Sequence, residues 1–151
     1  MNFEQDKYKI QDHTYQPVDQ AVNVANRRRI IDVMREMVSA PLAELGEAVR
    51  AVYHADAEVN VTHPINELDD RDAVDEDFWR PLRRALPDVE RRDDIVAGGR
   101  YREADMIGCL GHYVGTFEND WLGIPASRGV VTVRYAEGHE LRDGKIARSY
   151  V

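Results

Sequence analysis

The hydrophobic period of this 151-residue sequence changes once, close to Pro87. Before Pro87, apolar side chains recur with the spacing of an amphipathic helix, and after it they alternate with polar ones as in a β-strand. Helices followed by a meander of strands indicate an α+β fold, with the helices gathered on one face of a sheet. A curved antiparallel or mixed sheet with N-terminal helices on its concave face makes a cone, and the interior of a cone is a natural ligand site.

Three helices are predicted before Pro87. They cover residues 22–38, residues 42–53 and a segment that begins at Asp70 or Asp72. Either aspartate suits an N-cap, because its carboxylate accepts a hydrogen bond from a free N–H of the first turn. Pro81 is expected to kink or restart the third helix, since proline removes a helical hydrogen bond.

Four strands are predicted after Pro87. They cover residues 89–96, 102–117, 129–141 and 145–151. Gly98-Gly99 is a hairpin turn signal between the first two strands, and Asp143-Gly144 is a stronger one between the last two. The strand over residues 102–117 is apolar on both faces, so it needs a second covering besides the helices, which a second subunit could supply.

A two-residue turn at Asp143-Gly144 fixes which residues face each other across the last hairpin. It pairs Leu141 with Ile146, His139 with Arg148 and Glu137 with Tyr150. One face then carries a carboxylate, an imidazole and a cation within reach of one another. Two interpretations are open: a surface salt-bridge ladder, or an acid/base group in a cavity whose proton affinities the cation tunes.

Several short motifs follow one another at the separations of a known family. They are His63-Pro64, Phe78-Trp79-Arg80-Pro81-Leu82 running to Ala85-Leu86-Pro87-Asp88, Gly111-His112-Tyr113-Val114-Gly115, Trp121-Leu122-Gly123-Ile124-Pro125 and Asp143-Gly144-Lys145-Ile146. Over about residues 25–151 the sequence resembles the SnoaL-like polyketide cyclases of the nuclear-transport-factor-two-like (NTF2-like) superfamily. The resemblance implies a cone-shaped α+β barrel that dimerises through the outer face of its sheet and uses no metal or cofactor.

The same resemblance implies acid/base chemistry inside the cone. The studied cyclases of the family close a ring by intramolecular aldol condensation, using a histidine on the penultimate strand and an aspartic acid on the last strand. His139 matches that histidine and Glu137 is the carboxylate on the same face, so both are predicted to be catalytic. Substrate-binding residues are predicted at His63, His112, Tyr135, Arg148 and Tyr150. The expected function is a cofactor-independent cyclisation, isomerisation or hydration of a small apolar carbonyl compound.

The alternative is a non-catalytic domain of the same fold that binds a ligand or mediates dimerisation. It is motivated by the aspartate that the family carries on its last strand, which would lie beyond Val151. A central strand that stops there favours a fragment, and the tandem domains of many relatives suggest the first of a pair. Residues 1–21 are expected to form an N-terminal arm and residues 22–151 the SnoaL-like domain.

Composition narrows the range of partners. The sequence has 28 acidic and 20 basic residues and a net charge of −8, which disfavours binding to nucleic acid or an anionic membrane. Cys109 is the only cysteine and lies in an apolar strand, so a buried thiol is predicted. No signal peptide or membrane-spanning run is recognised, and a cytoplasmic location is expected. No metal site is predicted, because a strand divides the residues of Glu137-Gly138-His139-Glu140 between two faces.

Overall fold

A computed structural model describes residues 20–151. The helices are α1 (Gln20–Ser39), α2 (Leu45–Val52) and α3 (residues 71–85), which consists of Arg71–Ala73, a π-helical stretch Val74–Trp79 and Arg80–Ala85. The strands are β1 (Tyr53–Val61), β2 (Asn66–Leu68), β3 (Glu90–Tyr101), β4 (Ala104–Thr116), β5 (Val130–Arg142) and β6 (Lys145–Tyr150). The arm predicted for residues 1–21 lies outside the described residues, apart from the two that begin α1.

The six strands form one mixed sheet in the order β2-β1-β6-β5-β4-β3. Among these six strands β1 and β6 are parallel, and the other neighbouring pairs are antiparallel. Helices and strands share one core, in which Met34, Trp79, Ile107 and Ile146 are at most 1% exposed. The predicted α+β architecture is therefore confirmed. None of the helices within residues 20–151 is long and apolar enough to cross a membrane.

The first helix agrees with its prediction to within two residues at each end, whereas the second is shorter than predicted. Tyr53 was predicted to close α2 but begins β1, and the strands β1 and β2 were missed. The missed signal was the alternation Ala57, Val59, Val61 with acidic or amide residues between them. Tyr53 fits both periods, because a buried residue at this position continues the helical spacing of α2 and also begins the alternation of β1.

The third helix begins and bends as the sequence indicates. The Asp70 carboxylate accepts a hydrogen bond of 2.8 Å from the backbone N–H of Ala73, which makes it the N-cap. The π-helical stretch lies directly before Arg80-Pro81, where a proline ring would crowd the carbonyl of the preceding turn in an α-helix. The wider turn brings Phe78 and Trp79 into the core together.

The predicted turn at Gly98-Gly99 is wrong. Strand β3 continues through both glycines, and the chain turns at Arg102 and Glu103 instead. A Cβ added at Gly98 would lie 2.0 Å from Asn23 Oδ1, so the missing side chain makes room for α1 on the sheet. This glycine serves close packing rather than a turn.

A similar close approach occurs at Gly111 on β4. A Cβ there would lie 2.1 Å from the carbonyl oxygen of Arg92 and 2.4 Å from Tyr135 Oη. We expect Gly111→Ala to lower the free energy of unfolding by about 2 kcal/mol, the usual cost of forcing backbone and ring apart. Gly138→Ala, on β5 with no atom within 4 Å of its added Cβ, is the matched control and should change it by less than about 0.5 kcal/mol. Urea unfolding measures both, and equal effects would contradict the packing argument.

The last hairpin confirms its predicted turn but not its register. Asp143 and Gly144 both have positive φ, 51° and 75°, as a tight two-residue hairpin loop requires. The predicted pairing of Leu141 with Ile146 is present, but Ala147 then forms a bulge. Beyond it, Glu140 pairs with Arg148, His139 with Ser149 and Gly138 with Tyr150. The predicted pairings of His139 with Arg148 and of Glu137 with Tyr150 are therefore wrong, because one extra residue exchanges the faces of β6.

The outer face of the sheet exposes several apolar side chains. Ile95 is 58% exposed, Tyr150 56% and Leu110 37%. They border a shallow groove of about 580 Å³ over β3, β4, β5 and the end of β6. This face carries the apolar residues for which a second subunit was expected, and the homodimer stays a prediction.

Candidate functional site

A cavity of about 230 Å³ lies between α3, the sheet and the loop that joins β4 to β5. Its walls are mainly apolar and aromatic. They include Phe78, Leu82, Tyr113, Trp121, Val133 and Tyr135. A dry apolar cavity of about 150 Å³ accepts benzene, so this one suits a compound of roughly two fused rings.

The cavity opens beside an unpaired part of β5. Strand β5 pairs with β4 over Val130–Leu141, but with β6 only from Gly138 to Arg142. Residues 130–137 therefore have no strand on their second side within the described chain. Val133 and Tyr135 face inward from this edge, while the neighbouring Arg134 is exposed and also lines the cavity.

A cluster of charged and polar side chains is buried beneath the cavity, around the carboxylate of Glu137. Tyr113 Oη donates a hydrogen bond of 2.6 Å to Glu137 Oε1, and Arg91 Nη1 donates one of 3.0 Å to the same oxygen. Arg91 Nη2 lies 2.8 Å from Oε2 in an ion pair. The side chains of Arg91 and Glu137 are both 0% exposed, so their charges compensate each other away from water.

His139 completes the cluster from the next inward position of β5. Its Nε2 lies 3.2 Å from Glu137 Oε2, and its Nδ1 lies 2.8 Å from Ser149 Oγ. An ionised carboxylate only accepts hydrogen bonds, so Nε2 carries the proton that is shared with Glu137. The bulge at Ala147 turns Ser149 inward, which is why a serine rather than Arg148 faces the imidazole.

Arg91 and Asp93 are functional candidates that the sequence analysis missed. Arg91 Nε donates a hydrogen bond of 2.9 Å to Asp93 Oδ1, and Tyr135 Oη donates one of 2.8 Å to the same oxygen. The other oxygen, Oδ2, accepts a hydrogen bond of 3.0 Å from Arg35 Nε on α1. The Arg91 guanidinium lies over the Tyr135 ring, 4.2 Å from its centre. Strand β3, which carries Glu90-Arg91-Arg92-Asp93-Asp94, is the edge strand of the sheet, and the side chains of Arg91 and Asp93 are buried on its inward face. The available signal was the i, i+2 spacing, which places Arg91 and Asp93 on one face.

The protonation state of Glu137 follows from its neighbours. Burial by itself would raise its pKa, but the hydrogen bond with His139 and the charge of Arg91 outweigh burial, and the pKa falls to about 2. Burial and the charge of Glu137 raise the pKa of Tyr113 well above its usual value. Glu137 is thus an anion at neutral pH and Tyr113 a neutral hydrogen-bond donor.

Two tyrosine rings separate this cluster from the cavity. The rings of Tyr113 and Tyr135 lie 4.7 Å apart and line the cavity, while their hydroxyls bind carboxylates of the cluster. Glu137 is 5% exposed and His139 0%. The predicted catalytic pair is therefore in contact, but Tyr113 and Tyr135 are the members of the network that reach the cavity, and Tyr113 is the one bound to Glu137.

The predicted substrate-binding residues are divided between two places. Tyr135 and His63 line the cavity. His112 lies on the outer face, where its Nδ1 is 2.9 Å from Asp94 Oδ2. Arg148 also points outward, pairing with Glu58 at 2.9 Å, and Tyr150 is exposed beside it. The shared inward face that the register predicted for Arg148 and Tyr150 is thus wrong.

One group of potential metal ligands occurs in the described residues. Atoms of Cys109, Glu137 and His139 lie within 4.8 Å of one another. The Arg91 guanidinium already neutralises Glu137 at this point, and a second cation would be repelled by it. Burial raises the pKa of the Cys109 thiol to about 11, so it is neutral and a poor ligand.

Known proteins share this architecture. The structure is similar to a protein from Jannaschia sp. CCS1 provisionally named a SnoaL-like polyketide cyclase, with a TM-score of 0.71, 15% identity and 89% coverage of each chain. IdmH from Streptomyces antibioticus, provisionally named a polyketide cyclase, gives a TM-score of 0.65 at 16% identity, over 83% of this chain and 88% of IdmH. An NTF2-like superfamily protein from Salmonella enterica gives 0.68 at 8% identity, over 88% and 91%.

Sequence identities of 8–16% to these structures support a shared fold and no more. No curated protein matches the sequence significantly. The sequence itself matches the SnoaL-like domain family over residues 28–149, which is most of the chain. That range contains α1 from its third turn, the sheet except for Tyr150 at the end of β6, the cavity lining except for Val151, and the buried cluster. The predicted NTF2-like cone is confirmed, and the chain belongs to the SnoaL-like domain family.

Proposed function

We propose that this chain is an enzyme that binds a small apolar carbonyl compound in the cavity and moves a proton next to the carbonyl, without a cofactor. One observation carries the proposal: Tyr113 lines an apolar cavity while its hydroxyl is fixed by a buried arginine and carboxylate. The single hydroxyl proton of Tyr113 is donated to Glu137 in the ligand-free protein. Turned from Glu137 towards a bound ligand, the same O–H can stabilise the oxyanion that forms when a carbonyl compound loses an α-proton. Membership of the SnoaL-like family supports this class of chemistry.

The cavity offers an acceptor for that proton in His63. It lines the same cavity as Tyr113, on the segment that follows β1. Imidazole is the side chain best suited to exchange a proton near neutral pH. In this scheme His63 takes the α-proton, and Tyr113 turns its O–H from Glu137 to the carbonyl oxygen of the ligand. Cyclisation and isomerisation can proceed from the resulting enol, and the addition of water to an α,β-unsaturated carbonyl compound passes through the same type of enol.

The Glu137–His139 pair holds Tyr113 in position in this scheme. Both ring nitrogens of His139 have partners, and its side chain is 0% exposed. For His139 itself to accept a proton from the ligand, as the sequence predicted, Tyr113 would have to leave Glu137 and turn out of the way. His139 as the proton acceptor and His139 as a residue that positions Tyr113 predict different proton-exchange activities for single variants.

The burial of His139 also supports a second candidate function, ligand binding without chemistry. The Glu137 carboxylate, which binds the hydroxyl of the lining residue Tyr113, has a pKa of about 2 and is a weak base. Such a cluster could serve only to fix the wall of a binding pocket. This candidate predicts tight binding of apolar ketones without any exchange of their protons.

The test is solvent exchange of α-protons. A panel of small cyclic ketones, such as 2-indanone and 2-tetralone, is incubated with the protein in D2O, and loss of the α-proton signal is followed by NMR. We expect wild type to accelerate exchange, and His63→Ala and Tyr113→Phe each to lower the acceleration by about a hundredfold. His54→Ala is the matched control, since His54 lies on β1 and its Nε2 contacts the carbonyl of Arg142.

Each outcome decides between the schemes. Exchange lost in His139→Ala but kept in His63→Ala would make His139 the proton acceptor. Circular dichroism verifies that His139→Ala is folded, and Ser149→Ala, which removes only its hydroxyl partner, tests the same point with less disruption. If the ketones bind but their α-protons do not exchange, the result would reject catalysis and support ligand binding as the function. Exchange that is equal in all variants would reject the site.

A further inference from the structure

We infer that the natural ligand carries an anionic group, such as a carboxylate, which Arg134 binds at the mouth of the cavity. Arg134 lines the cavity together with Trp121 and His63, yet it is exposed to solvent. It is the only arginine or lysine in the cavity lining, and the described residues give it no ion pair. The inference rests on the proposed cavity as the ligand site, but not on the proposed proton transfer.

The lack of a partner is unusual among the arginines of this sheet. Arg92 pairs with Glu90 at 2.8 Å, Arg142 with Asp56 at 2.5 Å and Arg148 with Glu58 at 2.9 Å. The chain as a whole has 28 acidic against 20 basic residues, so counter-charges are abundant. A guanidinium that has no ion pair among residues 20–151 is available for a ligand, and its planar N–H groups match a carboxylate in two parallel hydrogen bonds.

The opening of the sheet brings this guanidinium and the cavity together. On a continuous sheet Arg134 would be separated from the inward residues Val133 and Tyr135. Here β6 stops pairing with β5 at Gly138, so the cavity extends to the edge of β5 and includes both faces of this segment. Backbone N–H groups along an unpaired edge are further hydrogen-bond donors for an anion.

These features define the class of ligand. Its apolar part fills a cavity of about 230 Å³, and its charged group lies outside the cavity on Arg134. A ring system of about two fused rings with a carboxylate on one side meets both conditions. Combined with the proposed chemistry, the substrate is an enolisable carbonyl compound that is also an acid.

The test compares two probes of the same shape, 2-naphthoate and neutral 2-naphthamide, by isothermal titration calorimetry. We expect wild type to bind the carboxylate about fivefold more tightly, the value of one exposed ion pair. The preference should disappear in Arg134→Gln and weaken in high salt. Arg28→Gln, on an exposed position of α1 that does not line this cavity, is the matched control and should keep the preference.

Equal affinity for the two probes in wild type would overturn the inference, and so would an equal loss of preference in Arg28→Gln, which would show a general effect of charge. Failure of both probes to bind would reject the cavity as the ligand site and this inference with it. Absence of ketone proton exchange together with a preference that depends on Arg134 would reject only the proposed chemistry. Ketone exchange without any carboxylate preference would reject only the role of Arg134.

Discussion

Replacing Arg91 by methionine is expected to destabilise the protein by about 3–5 kcal/mol, the usual result of removing one partner of a buried ion pair. The Arg91 side chain is 0% exposed and lies between two carboxylates, Glu137 at 0% and Asp93 at 3% side-chain exposure. Methionine fills a similar length but leaves Glu137 without its cation, and leaves Asp93 with only the half-exposed Arg35. Urea unfolding at neutral pH measures the loss.

Arg92→Met provides the control, because Arg92 is the next residue of the same strand and faces outward. Its side chain is 62% exposed and its partner Glu90 is 65% exposed, so less than about 1 kcal/mol should be lost. The double variant Arg91→Met/Glu137→Gln should lose less than the sum of the two single variants, since it removes both charges of one pair. Equal losses at positions 91 and 92 would show that the buried cluster contributes little to stability.

The general architecture could be predicted because it depends on periodicity. The change of period near Pro87 separates helices from strands, and Asp143-Gly144 marks a hairpin whatever surrounds it. The helix cap at Asp70 is equally local, since the residue and its partner Ala73 are three positions apart. Features of this kind need no knowledge of the rest of the chain.

The site depended on contacts that the local sequence does not encode. The bulge at Ala147 decides whether Ser149 or Arg148 faces His139, and no turn or proline signals it. Arg91 looks like a surface charge until β4 and β5 place Tyr113 and Glu137 around it. Gly98 resembles a turn residue in the local sequence. The reason for the glycine is its contact with Asn23, which is 75 residues away in sequence. Glu137 and His139 could be paired in advance because two positions on one strand share a face in any register.

Wild-type stability is expected to fall in acid through Glu137, over a window set by its two pKa values. The pKa is about 2 in the folded protein against 4.5 for an ordinary glutamate, so folding favours the ionised form. A group whose pKa is lowered by folding stabilises the protein above its unfolded pKa, and that contribution is lost as the pH falls through the folded value. The difference corresponds to about 3 kcal/mol at neutral pH.

Glu137→Gln isolates this contribution, because glutamine keeps the shape of the side chain but does not titrate. At pH 7 the variant should be about 3 kcal/mol less stable than wild type, and the gap should shrink to about half by pH 3. Folding also lowers the pKa of Asp56 and Asp88, but both carboxylates remain in the variant and cancel in the comparison. Glu140→Gln is the control, because Glu140 lies on the same strand but points outward and pairs with Arg148. The difference in free energy of unfolding between this variant and wild type should stay constant over the same pH range. Urea unfolding at intervals from pH 7 to 3 gives both curves. A gap for Glu137→Gln that stays constant over this range would mean that the carboxylate is not held ionised by Arg91 and His139.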